Sequence, residues 1–112
     1  MHEAALSQGL MRILLDEANR HGVRSITRVW LKVGRLQAVE PHALQACFGM
    51  FAEGTIAEGA ELIIEHVPVQ VRCTVCLDEF QVEGFHLRCA RCGSVQVQIL
   101  RGKELYVESF DA

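Results

Sequence analysis

The last third of the chain is organised by two cysteine pairs, Cys73-Thr74-Val75-Cys76 and Cys89-Ala90-Arg91-Cys92. Twelve residues separate the pairs, which is enough chain to turn back and bring them together. Each pair can bind one tetrahedral ion from one side, and this is the spacing of a closed four-thiolate zinc site. The sequence therefore predicts a structural zinc centre, with no position left open for a substrate. Its ligands are Cys73, Cys76, Cys89 and Cys92.

Two other metal chemistries share this cysteine pattern. An iron site of the rubredoxin type uses similar pairs, and a redox-switched zinc site would release its metal on oxidation. Four thiolates and one divalent ion carry a formal charge of about −2, which needs compensation. We expect part of it from backbone amides after each pair and from the arginines beside the ligands, Arg72, Arg88 and Arg91.

Length and composition limit the class of protein to which the chain can belong. The chain has 112 residues, of which 50% are apolar, and this suits one compact domain or a small core with an appended metal module. No run approaches the ~20 apolar residues of a membrane span, and no secretory signal is visible. We therefore expect a cytoplasmic protein, in which paired cysteines bind metal rather than form disulfides. The formal charge of −3 argues against a nucleic-acid partner.

Apolar spacing predicts two helices. Residues 4 to 21 carry an apolar stripe at spacings of three and four, and a glycine follows the last turn. The members of this stripe are Leu6, Leu10, Ile13, Leu14 and Ala18. Pro41 suits the first turn of a second helix, which ends at Gly54. The predicted buried stripe of this helix is Leu44, Cys47, Phe48 and Phe51.

Alternating or β-branched segments predict the strands. They cover residues 25 to 33, 61 to 71 with an interruption near Pro68, 95 to 99, and 105 to 109. Helices and strands in one small unit indicate the α+β class, with two helices on a small mixed sheet. Because apolar strands continue on both sides of the cysteines, we expect residues 72–93 to form an inserted zinc-binding module. Residues 1–71 and 94–112 then form the α+β domain.

The N-terminus, Met1-His2-Glu3, offers a metal site of a different kind. Removal of the initiator methionine generally requires a small second residue, so the free amine stays on Met1. That amine, the His2 amide and His2 Nδ1 form two fused chelate rings, and Glu3 can add a fourth ligand. Such a nitrogen-rich set suits Ni(II) or Cu(II). The alternative interpretation is a surface histidine on a frayed terminus.

Several stretches accompany the N-terminal trio and the cysteine pairs. They are Val33-Gly34-Arg35-Leu36, Val39-Glu40-Pro41 and Glu58-Gly59-Ala60-Glu61-Leu62. Taken together, these stretches resemble the HypA/HybF family of hydrogenase maturation factors. The resemblance covers essentially the whole chain, and its specificity lies in the combination, since either cysteine pair alone is common.

The resemblance implies a small cytoplasmic nickel metallochaperone that helps insert nickel into [NiFe]-hydrogenase and, in some organisms, into urease. It implies a nickel-binding domain and a zinc domain inserted before the last strands. By position, His2 is the nickel ligand, with Glu3 and the Met1 amine beside it, and the four cysteines bind zinc. The implied partners are a HypB-type GTPase, the hydrogenase large subunit precursor and urease accessory proteins. We expect a monomer or a weak homodimer.

Four further residues have open roles in the sequence. Glu40 is similar to a family position that supports the nickel site, and it also fits a plain role near a helix N-terminus. His42 can touch such a nickel site or stand in solvent. Cys47 fits a small buried hydrophobe. Trp30, opposite the apolar face of its strand, is either covered or exposed for docking.

The sequence offers no basis for catalysis, because it shows no nucleophile with a base, no phosphate-binding loop and no paired inward carboxylates. We therefore expect a nickel metallochaperone and not an enzyme, with zinc as a structural cofactor and nickel as transferred cargo. The alternative is a zinc-ribbon protein-interaction module without a nickel role.

Overall fold

The computed structural model describes residues 2–84 and 86–112 and divides the chain into two compact units. Unit 1 comprises Met1–Lys32, Val39–Glu65 and Tyr106–Ala112. Unit 2 comprises Val33–Ala38 and His66–Leu105. No helix in the described part of the chain has the length and apolar character needed to cross a membrane.

The described part of the chain contains two helices and six strands, as the α+β prediction requires. The helices are α1 (Glu3–Arg20) and α2 (Pro41–Ala52), and Arg35–Gln37 form a short 3₁₀ turn. The strands are β1 (Arg28–Gly34), β2 (Glu61–Val67), β3 (Val69–Cys73), β4 (Glu79–Val82), β5 (Val97–Arg101) and β6 (Leu105–Asp111). They form two three-stranded sheets, of order β2-β1-β6 and β4-β3-β5. The predicted fold class is thus confirmed.

Helix α1 buries a stripe that differs in part from the predicted one. Leu10, Leu14 and Ala18 are buried as expected. Ile13, however, is 57% exposed, and Met11 is buried instead. The stripe continues towards the N-terminus through polar residues, because Glu3 and Ser7 lie on the same buried face.

Strand β1 shows the predicted alternation. Val29, Leu31 and Val33 are buried, whereas Arg28 is exposed and Trp30 is half-buried. The Arg28 guanidinium lies 5.7 Å from the centre of the Trp30 ring, within the range of a cation–π contact. Trp30 is therefore partly covered by its own neighbour.

Helix α2 begins at Pro41 as predicted, because proline at the first position sacrifices no intrahelical hydrogen bond. Leu44 and Phe48 are buried, but Cys47 is only half-buried and Phe51 is 39% exposed. The predicted buried stripe therefore included two residues, Cys47 and Phe51, that are not fully buried. At the last turn of α2 the buried residue is Ala52, which lies one turn beyond Phe48.

Unit 2 is built on an antiparallel sheet with β3 at its centre. Val71 lies opposite Phe80 of β4 and Ile99 of β5. Its small core consists of Val69, Val71 and Val82, with further partly buried apolar side chains packed on it. The predicted interruption near Pro68 is confirmed, since β2 ends at Val67 and β3 begins at Val69.

Two glycines meet where the end of β1 passes the turn between β5 and β6. The Gly34 amide donates to the Glu104 carbonyl at 2.7 Å, and the Leu36 amide donates to the Gly102 carbonyl at 2.9 Å. A Cβ atom on Gly34 would overlap the Gly102 carbonyl group. Gly102 itself has φ +117°, which only glycine adopts readily.

The predicted division into residues 1–71 and 94–112 around a module at 72–93 stays a prediction. In the structure, all four paired cysteines belong to unit 2, which also includes β3 and β5.

Candidate metal centres

The four paired cysteines converge on one point. Their sulfur atoms all lie within 4.8 Å of one another. Cys73 Sγ is 3.5 Å from Cys92 Sγ, and Cys76 Sγ is 3.6 Å from Cys89 Sγ. Cys73 and Cys89 are buried, whereas Cys92 is exposed at the rim. The structure thus assembles the predicted four-cysteine metal-binding site.

The first cysteine pair forms a tight turn at the end of β3. The Cys73 amide donates to the Asp78 carbonyl at 2.8 Å, and the Leu77 amide donates to the Cys73 carbonyl at 2.9 Å. The Cys76 amide lies 3.5 Å from Cys73 Sγ and donates to it. This contact lies inside the pair, whereas the predicted amides follow each pair, as those of Asp78 and Ser94 do.

The second pair repeats this geometry. The Cys89 amide donates to the Ser94 carbonyl at 2.9 Å, and the Gly93 amide donates to the Cys89 carbonyl at 2.8 Å. Gly93 has φ +76°, and its counterpart Leu77 has φ +65°. Both turns therefore need a left-handed residue directly after the second cysteine, which is the position where a glycine is usual.

The thiols differ in how readily they ionise. The Cys76 amide lowers the pKa of Cys73 to about 6. The Ser94 amide favours the Cys92 thiolate, but the Cys73 thiol and burial outweigh it and raise the pKa of Cys92 to about 12. The pKa of Cys76 is also raised, because burial and neighbouring thiols outweigh the amide of Asp78. Four crowded sulfurs thus resist ionising together, and a bound cation relieves that repulsion.

The three arginines beside the cysteines differ in their surroundings, and their part in compensating the thiolate charge stays a prediction. Arg72 donates to Glu79 Oε2 from Nε at 3.1 Å and from Nη2 at 2.8 Å, so one carboxylate oxygen accepts both bonds across β3 and β4. Arg88 and Arg91 are exposed. Arg72 therefore has a structural partner of its own in the sheet.

The predicted N-terminal ligands stand at the first turn of α1. His2 is the N-cap residue and is exposed, and its carbonyl accepts from the Leu6 amide at 3.0 Å. Glu3 is the first residue of the helix and is only 7% exposed. Met1, the third predicted ligand, lies outside the described residues.

Helix α2 fixes the buried face of α1 through two polar contacts. The Glu40 amide donates to Glu3 Oε2 at 3.0 Å, and the Ser7 hydroxyl donates to the Leu44 carbonyl at 3.4 Å. The charged amino terminus, followed by the Glu40 amide, lowers the pKa of Glu3 to about 2. Glu3 is therefore a carboxylate at neutral pH. Sequence reasoning missed Ser7, although its spacing of four from Glu3 and three from Leu10 places it on the helical stripe.

Glu40 takes the role near a helix N-terminus that the sequence offered, and it also contacts the first turn of α1. Its carboxylate caps α2 by accepting from the Ala43 amide at 2.6 Å, and this bond is the main cause of its lowered pKa. Its backbone amide holds Glu3, and its Oε1 atom lies 3.3 Å from Nδ1 of His42. Glu40 thus connects the N-terminal turn, the start of α2 and an exposed imidazole.

Comparison with known proteins agrees with this arrangement. A family profile described as "Hydrogenase/urease nickel incorporation, metallochaperone, hypA" matches residues 1–112. Hydrogenase maturation factor HypA of Chlorobaculum tepidum is 44% identical over 110 residues, covering 98% of this chain and 97% of that protein. The HypA protein of Aquifex aeolicus is 37% identical over 111 residues, covering 99% and 96%.

Solved structures show the same fold. A solution structure of a HypA protein matches with a TM-score of 0.73 at 25% identity, covering 99% of this chain and 95% of that one. The solution structure of the Ni metallochaperone HypA from Helicobacter pylori matches with a TM-score of 0.70 at 24% identity, covering 99% and 97%. The full-length match to the family, together with the four-cysteine site, shows that this chain belongs to the HypA family of hydrogenase maturation metallochaperones and is not an enzyme.

Proposed function

We propose that this chain carries Ni(II) at its N-terminus, with His2 as the principal ligand and with Glu3 and the Met1 amine beside it. It delivers this cargo during maturation of [NiFe]-hydrogenase and, where the enzyme is present, of urease. It works in the cytoplasm with a HypB-type GTPase, the hydrogenase large subunit precursor and urease accessory proteins. Family membership supports the nickel role, and the fine assignment to residues rests on the local geometry.

One observation carries the assignment of nickel to the N-terminus. His2 is exposed at the cap of α1, while the next residue, Glu3, is held by the Glu40 amide at 3.0 Å. The side chain that binds cargo is therefore accessible, and its neighbour is anchored. This combination suits a carrier, because a partner can reach the ion and the remaining ligands stay in place.

We propose zinc as the resident ion of the four-cysteine site. Four thiols within 4.8 Å of one another fit a tetrahedral thiolate set, which holds zinc as a structural cofactor. When bound, zinc joins the two cysteine turns of unit 2 without an open coordination position. Because the four-cysteine site has no open position, we assign the transfer of nickel to the N-terminal residues.

A nickel carrier must bind nickel tightly enough to hold it and weakly enough to release it to a partner. A partner that offers competing ligands can displace exposed ligands one at a time, whereas it cannot reach ions in a closed thiolate cage. We expect micromolar affinity for nickel, equivalent to about −8 kcal/mol. Tighter binding would slow release, since affinity differences lie mostly in dissociation rates.

A nickel titration of the wild type and His2→Ala tests the proposal. Loss of the imidazole removes one chelate ring, so we expect nickel binding to disappear. Zinc content should remain at one ion per chain and the circular dichroism spectrum unchanged, because His2 is an exposed cap residue without a side-chain capping bond. Unchanged nickel affinity in His2→Ala would contradict the assignment.

The exposed apolar residues of the cysteine turns favour a second function, a zinc-ribbon surface that recruits a protein. Val75, Leu77 and Val95 are 59%, 69% and 66% exposed. Extending the chain before Met1 distinguishes the two functions, because it removes the terminal amine as a ligand. The same extension at the C-terminus is the control. A sharp fall in nickel affinity for the N-terminal extension alone supports the nickel carrier, and equal affinities support the recruiting module.

A further inference from the structure

A groove runs between helix α1 and strand β6, inside unit 1. It has a volume of about 280 Å³ and is lined on one side by Ile13, Leu14 and Glu17 of α1. Residues 107–110 of β6 line the other side. Because side chains alternate between the two faces of a strand, a wall of four consecutive residues includes the edge of the strand itself. The groove therefore follows the backbone of β6.

Strand β6 lies at the edge of its sheet. The order β2-β1-β6 gives it one neighbour, β1, and no other strand in residues 2–84 and 86–112 pairs with its second edge. Natural edge strands commonly carry lysine, proline or a bulge that blocks pairing with another chain. The sequence of β6, Leu105–Asp111, contains neither lysine nor proline. The backbone of β6 is thus available to an additional strand.

The groove has apolar walls that the unit itself leaves partly uncovered. Ile13 is 57% exposed, although it belongs to the predicted apolar stripe of α1. Val107 and Phe110 are half-buried, and buried Leu14 also lines the groove. A volume of about 280 Å³ lies just below the range of typical small-molecule sites, so it suits the apolar side chains of a peptide.

Charge selects the kind of strand that fits. The described residues that line the groove include two carboxylates, Glu17 and Glu108, and no lysine or arginine. Glu17 lies 3.6 Å from Arg20 and Glu108 lies 3.8 Å from Lys32, which are loose surface pairs. Unit 1 as a whole carries ten acidic side chains and five basic ones. A basic segment is therefore attracted to the groove, and an acidic segment is repelled.

A second copy of the chain does not supply such a segment. The sequences of the edge strands β2, β4 and β6 contain no lysine or arginine, and β5 has one, Arg101, at its last position. Pairing β6 with β6 of another copy would bring the acidic residues of both copies together, and like charges on paired strands are destabilising. The charge of the groove therefore favours a strand from a different protein.

We propose that the open edge of β6 binds an extended, basic segment of a partner protein as a fourth strand of the unit 1 sheet. Main-chain hydrogen bonds to β6 hold the segment, and an apolar side chain enters the groove beside Ile13. Lysine or arginine side chains of the segment approach Glu17 and Glu108. The described residues that line the groove include none of the assigned metal ligands, so this surface can be tested in the metal-loaded protein.

Three fluorescent peptides test the proposal on the full-length, metal-loaded chain, with binding measured by anisotropy. Each has seven residues, the length of β6. The first alternates lysine with valine, the second has glutamate in place of lysine, and the third is the first with proline in place of its central valine. We expect only the first to bind, because glutamate reverses the charge and proline removes a ladder hydrogen bond. Absence of binding by the first peptide, or equal binding by either of the others, would overturn the proposal.

Ser109→Lys and Gln8→Lys form a matched pair of variants. Both positions are exposed and belong to unit 1, and both variants add one positive charge, but only Ser109 lines the groove. We expect the affinity for the basic peptide to fall roughly tenfold or more in Ser109→Lys and to change less than about twofold in Gln8→Lys, because a lysine on the edge repels the peptide locally. Equal losses in the two variants would mean that only the net charge of the unit matters, and the proposal would be wrong.

Analytical ultracentrifugation over a range of protein concentrations tests the competing occupant. A wild-type dimer that Ser109→Lys abolishes would assign the edge of β6 to a second copy of the chain and overturn the proposal. Slower amide hydrogen exchange in β6 after addition of the basic peptide, with the protein monomeric, supports it. Circular dichroism of both variants checks that the fold is intact.

Discussion

Leu77 and Gly93 occupy equivalent positions in the two cysteine turns, with φ of +65° and +76°. Only glycine adopts this conformation without a steric cost, and a leucine there is strained by about 1–2 kcal/mol. Leu77 is also 69% exposed, so little apolar burial compensates for the strain. The first turn is therefore the less relaxed of the two.

We predict that Leu77→Gly raises the thermal stability of the metal-loaded protein. The gain should be about 0.5–1 kcal/mol, because relief of left-handed strain exceeds the extra entropy that glycine gives the unfolded chain. Differential scanning calorimetry measures the change in Tm. Gly93→Leu, which introduces the same strain into the second turn, should lower Tm, and equal effects of the two substitutions would contradict the argument.

The buried face of α1 was predicted only in part, and individual residues explain why. Apolar spacing predicted a buried Ile13, but the helix buries Met11, Ser7 and Glu3 instead. Two of these are polar, and a search for apolar residues passes over them. Their burial is stable because Ser7 and Glu3 find backbone partners on another element, which the sequence of α1 alone does not specify.

At the scale of elements, the contact between the end of β1 and the β5–β6 turn permits almost no side-chain volume. We predict that Gly34→Ala destabilises the protein by about 3 kcal/mol, since the added methyl overlaps backbone atoms of Gly102 that cannot move aside. Urea unfolding monitored by Trp30 fluorescence measures the loss.

Gly49→Ala is the control for this prediction. Gly49 lies in α2 with no atom within 4 Å of an added Cβ. Alanine should therefore stabilise the helix by about 0.5–1 kcal/mol. A similar sign for both substitutions would show that the close approach at Gly34 does not constrain the fold.

The sequence predicted most elements because their patterns are local. Proline and glycine marked the bounds of α2, and Pro68 marked the break between β2 and β3. Strand β4 was missed, because Glu79–Val82 is only four residues long and lies between the cysteine pairs. It forms by pairing with β3, with Arg72 opposite Glu79, and this pairing is not visible in the four residues themselves.

For the whole molecule, metal loading changes the net charge. The chain has a formal charge of −3 with its cysteines neutral, and a divalent ion held by four thiolates brings the formal charge to about −5. The metal-loaded protein should thus be more acidic than the metal-free one, by about one charge where Cys73 is already ionised. This excess negative charge remains unfavourable for binding nucleic acid.

The number of protons released on zinc binding should depend on pH. The pKa of Cys73 is lowered to about 6, so this thiol is ionised at pH 8 and protonated below pH 6. We expect zinc to displace roughly three protons at pH 8, and the number should rise towards four as the pH falls below 6. Titration of metal-free protein in weakly buffered indicator dye measures this release, and four protons at both pH values would contradict the lowered pKa.

The pairing of β6 with β1 could not be predicted from sequence, since the partners lie far apart along the chain. The Thr27 amide donates to the Asp111 carbonyl at 2.9 Å, across 84 residues. This pairing has a consequence for biosynthesis. The ribosome exposes β1 long before it makes β6, so the sheet of unit 1 lacks one strand until β6 has been made. The sheet of the unit that carries His2 is therefore complete only after β6 has left the exit tunnel.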